Sequence, residues 1–166
     1  MVKRVAAARA AEGRTAAQLR EEVALGVRRA IALTVLYNDQ VANRVGMSAS
    51  ESQSMHLLQL YGPMTPGRLA EVTGLSTGTI TGVLDRLERL GFVRRERSTE
   101  DRRKVLVTLD EAALAEQMAP YYAEHAANLE AALRRYDRDD LLVLVDFVDR
   151  LAPADQPPVA VPDVRD

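Results

Sequence analysis

Between Arg94 and Lys104 the chain carries six cationic side chains, Arg94, Arg95, Arg97, Arg102, Arg103 and Lys104, against three carboxylates, Glu96, Glu100 and Asp101. A local excess of about three positive charges in so short a stretch is a pattern suited to phosphate oxygens. It stands out because the chain as a whole has a formal net charge of -2. A basic island on an acidic body can orient a protein on a polyanion without making it adhere to every polyanion it meets. A solvated surface loop would carry the same charges, so the neighbouring residues have to decide.

Just upstream, Thr77 to Leu90 reads as a helix with Ile80, Val83, Leu84, Leu87 and Leu90 on one stripe. At about 100° per residue, Gly78, Gly82, Asp85 and Arg89 lie opposite that stripe, with Thr79 and Arg86 on one flank and Thr81 on the other. Each helical glycine costs about 1 kcal/mol relative to alanine, so two of them one turn apart on the solvent side need a reason. Close approach to another surface supplies one. A DNA groove would admit such a slim face, with Ser76, Thr77, Thr79 and Thr81 placed for phosphates or thymine methyl groups.

The inventory for catalysis is poor by comparison. Gly62 and Gly67 match the start of a phosphate-loop pattern, but Arg68-Leu69 stands where Lys-Ser or Lys-Thr is needed. There is no nucleophile elbow, and the two histidines, His56 and His125, have no serine and carboxylate at triad-like placement. They are also too few for a zinc site. With no cysteine in the chain, disulfides, thiolate metal sites and thiol-based sensing are excluded. No cofactor and no enzymatic activity are expected.

The elements that must position these residues follow from caps and periodicity. Thr15 with Gln18 forms a capping box opening a long helix through Leu19, Val23, Val27, Ile31, Val35 and Tyr37 to about Gly46. Ser48 with Glu51 opens a second, which Gly62-Pro63 stops. Thr65 as N-cap, Pro66 at the first helical position and a left-handed Gly74 bound a short third helix, and Ser76 caps the next. Two helices joined by a three- or four-residue turn containing glycine make a helix-turn-helix. Beyond Gly91, Phe92 to Arg95 and Val105 to Leu109 read as strands of a hairpin, with the basic loop at its tip. Asp110 caps a long helix that Pro120 bends, and Asp137 begins a last one with Leu141, Leu144, Val145, Val148 and Leu151 as its stripe.

The run from Gly62 to Leu109 resembles the winged helix-turn-helix of the MarR (multiple antibiotic resistance regulator) family. The landmarks are Pro-Met-Thr-Pro-Gly-Arg-Leu-Ala, the Thr-Gly-Leu-Ser turn, Asp85-Arg86-Leu87-Glu88, Gly91-Phe92-Val93, and Asp101-Arg102-Arg103 leading to Val-Thr-Leu. The resemblance implies a mainly α fold with a small β-hairpin wing, and a helical dimerisation region built from the N- and C-terminal helices. It implies minor-groove contact by wing arginines, with Asp101 and Arg103 on the family's Asp-x-Arg pattern. Asp85 would be the salt-bridge partner of a wing arginine. Gly82 occupies a recognition-helix position that is often basic in the family, so base preference does not carry over.

On this reading residues 1–14 form a flexible basic arm and residues 15–61 and 110–152 the dimerisation region. Residues 62–109 form the DNA-binding lobe and residues 153–166 a disordered, proline-rich tail. The expected DNA contacts are Ser76, Thr77, Gly78, Thr79, Thr81, Gly82, Arg86, Arg89, Arg97, Arg102, Arg103 and Lys104, with Asp85 and Asp101 organising the wing. A homodimer would place two recognition helices on half-sites of an inverted repeat about one DNA turn apart. The resemblance also implies a small aromatic or anionic effector, for which Tyr37, Met55, His56, Tyr121 and His125 are candidates, although Met and Tyr at helical spacing usually mean packing. The opening residues lack the layout of a secretory signal and no apolar run suits a bilayer, so a cytoplasmic protein is expected, and the resemblance implies that it is a ligand-responsive repressor. A winged-helix module that binds protein instead of DNA is the alternative, against which the outward glycines and the basic wing both weigh.

Overall fold

The computed structural model describes residues 13–99 and 101–153. Apart from Gly13, Arg14 and Pro153, the expected arm and tail lie outside the described residues. The elements in chain order are α1 (Ala16–Arg44), α2 (Ala49–Tyr61), α3 (Pro66–Thr73), α4 (Thr77–Arg89), β1 (Val93–Arg97), β2 (Val105–Leu109), α5 (Glu111–Gln117), α6 (Ala119–Leu133) and α7 (Arg138–Leu151). The fold is mainly helical with one antiparallel hairpin. No described helix is long and apolar enough to cross a membrane. The chain divides into two compact units, Met1–Gln40 and Val41–Asp166.

In the first unit, the start of α1 is fixed by reciprocal capping: Thr15 N–H donates to Gln18 Oε1 at 2.7 Å and Gln18 N–H to Thr15 Oγ1 at 3.2 Å. Arg14 adds an ion pair to Glu22 at 2.7 Å. Val23, Ile31, Leu33, Val35 and Leu36 of this segment are exposed.

In the second unit each of the helices α2, α3 and α4 starts with a side chain that satisfies an otherwise unpaired backbone donor. Ser48 and Glu51 form a full capping box for α2, Thr65 accepts from Arg68 N–H and Ser76 from Thr79 N–H. Gly74 ends α3 at φ +69°, a left-handed conformation that glycine adopts without a Cβ penalty. The apolar stripe of α4 is buried, with Ile80, Leu84 and Leu87 fully enclosed and Val83 nearly so, against a core that includes Met55, Leu69, Phe92 and Val107.

The hairpin pairs Val93 with Leu109 and Arg97 with Val105 at its two ends. A pairing that local sequence does not announce extends it: Met64 and Val107 exchange backbone hydrogen bonds of 3.2 and 2.8 Å, so the segment before α3 borders the wing as an isolated bridge. A second difference lies after the wing, where the sequence predicts a single bent helix. Instead α5 ends at Gln117, and α6 starts at Ala119 with a proline in its first turn. Pro120 has no N–H to give and its ring collides with the carbonyl four residues back, so the helix breaks at Met118.

Ser54 is completely enclosed and its Oγ has no hydrogen-bond partner. A buried hydroxyl without a partner carries a desolvation cost that an alanine would not. In urea unfolding at fixed protein concentration, Ser54→Ala is therefore expected to match or exceed the wild-type stability, whereas Leu84→Ala loses about 2–5 kcal/mol. A Leu84→Ala loss under about 1 kcal/mol would contradict the enclosure of this core.

Candidate nucleic-acid interface

Burying Ile80, Val83, Leu84 and Leu87 leaves Ser76, Thr77, Gly78, Thr79, Thr81, Gly82, Asp85 and Arg89 exposed on α4. A Cβ added at Gly82 would meet nothing within 4 Å, and one at Gly78 only Ser76 Oγ at 3.9 Å. Neither glycine is demanded by packing inside the chain. Three of the hydroxyls are already partnered: Ser76 Oγ and Thr79 Oγ1 lie 2.8 Å apart, and Thr81 Oγ1 donates to Thr77 O at 2.9 Å. With its O–H turned to the backbone, Thr81 offers an approaching surface lone pairs and a methyl group.

The basic island splits into two groups by strand alternation. Arg95 shares its face of β1 with buried Val93 and reaches α4, where it meets Asp85 Oδ1 and Glu88 Oε2 at 2.6 Å each. The hydrogen bond that Asp85 accepts holds the guanidinium more firmly protonated, aided by the charges of both carboxylates. Arg94, on the other face, pairs with Glu96 and with Asp110. Arg97, Arg102, Arg103 and Lys104 are exposed, and the Arg103 side chain is 94% so.

The tip between them is built by backbone contacts. Ser98, buried, accepts from Asp101 N–H at 3.3 Å and its own N–H donates to Lys104 O at 3.0 Å. Asp101 Oδ1 accepts from Arg103 N–H at 3.1 Å and lies 3.5 Å from its guanidinium. Asp101 thus shapes the turn that holds the arginines outward. In sequence Ser98 is one more polar turn residue; its burial depends on the folded hairpin and is not visible locally.

Arg86, which helical phase places on the flank of the outward face, keeps 45% of its side chain exposed and is also engaged within the protein. Its Nε lies 3.1 Å from Glu51 Oε1 and an amino group donates to Gly46 O at 2.8 Å. Glu51 is buried, with 7% of its side chain exposed. With Glu51 enclosed and Arg86 partly solvated, the pair stands between a buried ion pair and the roughly 0–1 kcal/mol of a surface one.

The expected effector residues differ in their surroundings within the described chain. Met55 is a core residue with 1% exposure. Tyr37 belongs to the first unit, Tyr121 is half-buried and His125 exposed. What the structure does join is His56 with Ser52 and Tyr122: Ser52 Oγ and Tyr122 Oη each lie 3.5 Å from a ring nitrogen, and the His56 and Tyr122 rings meet edge to face at 6.3 Å. Among the described residues no group of three or more His, Asp or Glu is arranged to hold a metal ion.

Known proteins show the same architecture. The MarR family model matches residues 47–105. The chain is 33% identical over 119 residues to the HTH-type transcriptional regulator YcgE of Bacillus subtilis, spanning 72% of this chain and 77% of that protein. It is 33% identical over 117 residues to the HTH-type transcriptional repressor YetL of the same organism, spanning 64% and 68%. A MarR family protein from Bacillus stearothermophilus has a similar structure, with a TM-score of 0.57 at 19% identity over 82% of this chain and 95% of that one.

Burial lowers the pKa of His56, an effect partly offset by hydrogen bonding with the Ser52 backbone. The unfolded chain regains the ordinary value near 6.5 and so takes up the proton first as the pH falls. Stability from this site is therefore full above about pH 6.5 and declines below it, toward the folded-state pKa. Thermal melts from pH 7.5 to 5 are expected to show a shallower decline for His56→Gln than for wild type. Parallel curves would contradict the assignment.

Proposed function

Because this chain belongs to the MarR family of transcriptional regulators, we propose that it binds an inverted-repeat duplex as a homodimer and represses transcription from that site. The observation that carries the reading is the exposed small-residue face of α4, with Gly82 opening onto empty space and Gly78 meeting only Ser76 Oγ, beside a wing whose Arg103 is almost wholly solvated. Ser76, Thr77, Thr79, Thr81 and Arg89 flank the glycines as groove and phosphate contacts. Arg97, Arg102, Arg103 and Lys104 reach the adjacent backbone or minor groove. Asp85 and Glu88, through Arg95, hold the wing against the helix that enters the major groove.

The homodimer rests on apolar side chains that the single chain leaves in water, chiefly Ile31, Val35 and Leu36 of α1 and Val143, Val145, Val148 and Leu151 of α7. Stripes of this kind gain stability when a second copy covers them. Repression agrees with the name of the similar protein YetL. An effector, aromatic or anionic, would act at half-buried His56 and Tyr122, beside buried Ser52.

Two outcomes test this. Gly82→Ala is expected to raise helix stability by up to about 1 kcal/mol, whereas Gly82→Leu abolishes mobility shift of the DNA upstream of the chain's own gene while still sedimenting as a folded dimer. Normal binding by Gly82→Leu would reject the close-approach account, and a monomer would reject the inverted repeat. Arg103→Ala is expected to weaken binding and to flatten the salt dependence of affinity by about one unit of slope for each phosphate that Arg103 neutralises. An unchanged slope would remove Arg103 from the contact set.

A further inference from the structure

Glu51 carries a charge into the interior and divides it between two elements. Its Oε2 accepts from Ser48 N–H at 2.7 Å, closing the cap of α2, while its Oε1 faces Arg86 Nε of α4 at 3.1 Å. The same guanidinium donates to Gly46 O at 2.8 Å. Gly46 sits at φ +71°, where the chain turns after α1 in a conformation other residues resist. One side chain thus ties the α1–α2 turn, the α2 cap and the third turn of α4 together. The preceding residue, Asp85, contributes to the grip on Arg95 from the wing side. The helix is therefore held on two flanks by charge, and on its inner face by apolar contact.

We propose that Arg86 is a positioning residue for sequence-specific DNA recognition: it latches α4 to the α1–α2 turn and sets the angle at which the glycine face is offered, without touching the duplex. This rests on the DNA-binding reading above. Base-edge hydrogen bonds tolerate little misplacement of the helix that carries them, whereas contacts to phosphate are sequence-independent and long in range. Releasing the latch should therefore cost discrimination and leave nonspecific adhesion intact. The Glu51 carboxylate is buried in the protein, so its removal should reproduce the Arg86 phenotype from a position that cannot contact DNA.

The test uses the full-length chain and two duplexes of equal length, one selected by the wild type from a random pool and one unrelated, titrated across a salt series. Arg86→Gln and Glu51→Gln should each lower affinity for the selected duplex by about tenfold or more, the range of a misread base pair. Both should leave the unrelated duplex and the salt slope unchanged. The double variant should bind like the weaker single one, and Arg86→Lys, which keeps the charge opposite Glu51 and the fold, should recover most of the loss. Equal losses on both duplexes with a slope reduced by about one, and a silent Glu51→Gln, would make Arg86 a phosphate contact and overturn the latch. Wild-type binding matched by every variant would overturn the latch alone. A wild type that selects no duplex would overturn the DNA-binding reading and the latch with it.

Discussion

The burial of one stripe of α4 is the constraint on which the rest depends. Ile80, Val83, Leu84 and Leu87 leave water together, and at roughly 1.5–3 kcal/mol each their transfer contributes on the order of 6–12 kcal/mol before entropy is counted. The two helical glycines cost only about 2 kcal/mol together. Packing wins, and a sequence of poor intrinsic helix propensity is held helical by its inner face. Helical geometry then leaves the opposite face outward, and what stands there is small and polar.

Electrostatics divides the basic residues into those that build the site and those available to a partner. Arg86, Arg94 and Arg95 are engaged by carboxylates of the same chain, and Arg95 joins the wing to α4. Arg97, Arg102, Arg103 and Lys104 are exposed at the hairpin's end, where Asp101 and the buried Ser98 shape the turn beneath them. A net charge near neutrality is no obstacle to phosphate binding when the cations are partitioned in this way.

Much of this is legible in the sequence because caps and stripes are local. Thr15 with Gln18, Ser48 with Glu51, Thr65 before Pro66, and Gly74 each state a helix boundary within four residues, and the structure forms every one of them. The stripe of α4 and the strand pattern around Val107 are equally local. What the sequence does not disclose depends on residues distant along the chain. The pairing of Arg86 with Glu51 and Gly46, the bridge from Met64 to Val107 and the enclosure of Met55 leave no trace in any periodicity. Helical phase puts Arg86 outside, and it is exposed, but phase gives only a direction and says nothing of a long side chain whose head also meets a buried charge. The break at Met118 is of a different kind: Pro120 is plain in the sequence, but whether a proline bends a helix or divides it depends on the packing around it.

In the proposed dimer a second copy would cover the apolar side chains of α1 and α7 that stay in water, and would bring a second α4 and wing. Hydroxyl-radical footprinting of the chain on DNA selected by it tests this account most directly. Two protected patches on one face of the duplex, about 10 base pairs apart and related by an inverted repeat, are predicted. A single patch, or uniform protection independent of sequence, would contradict it.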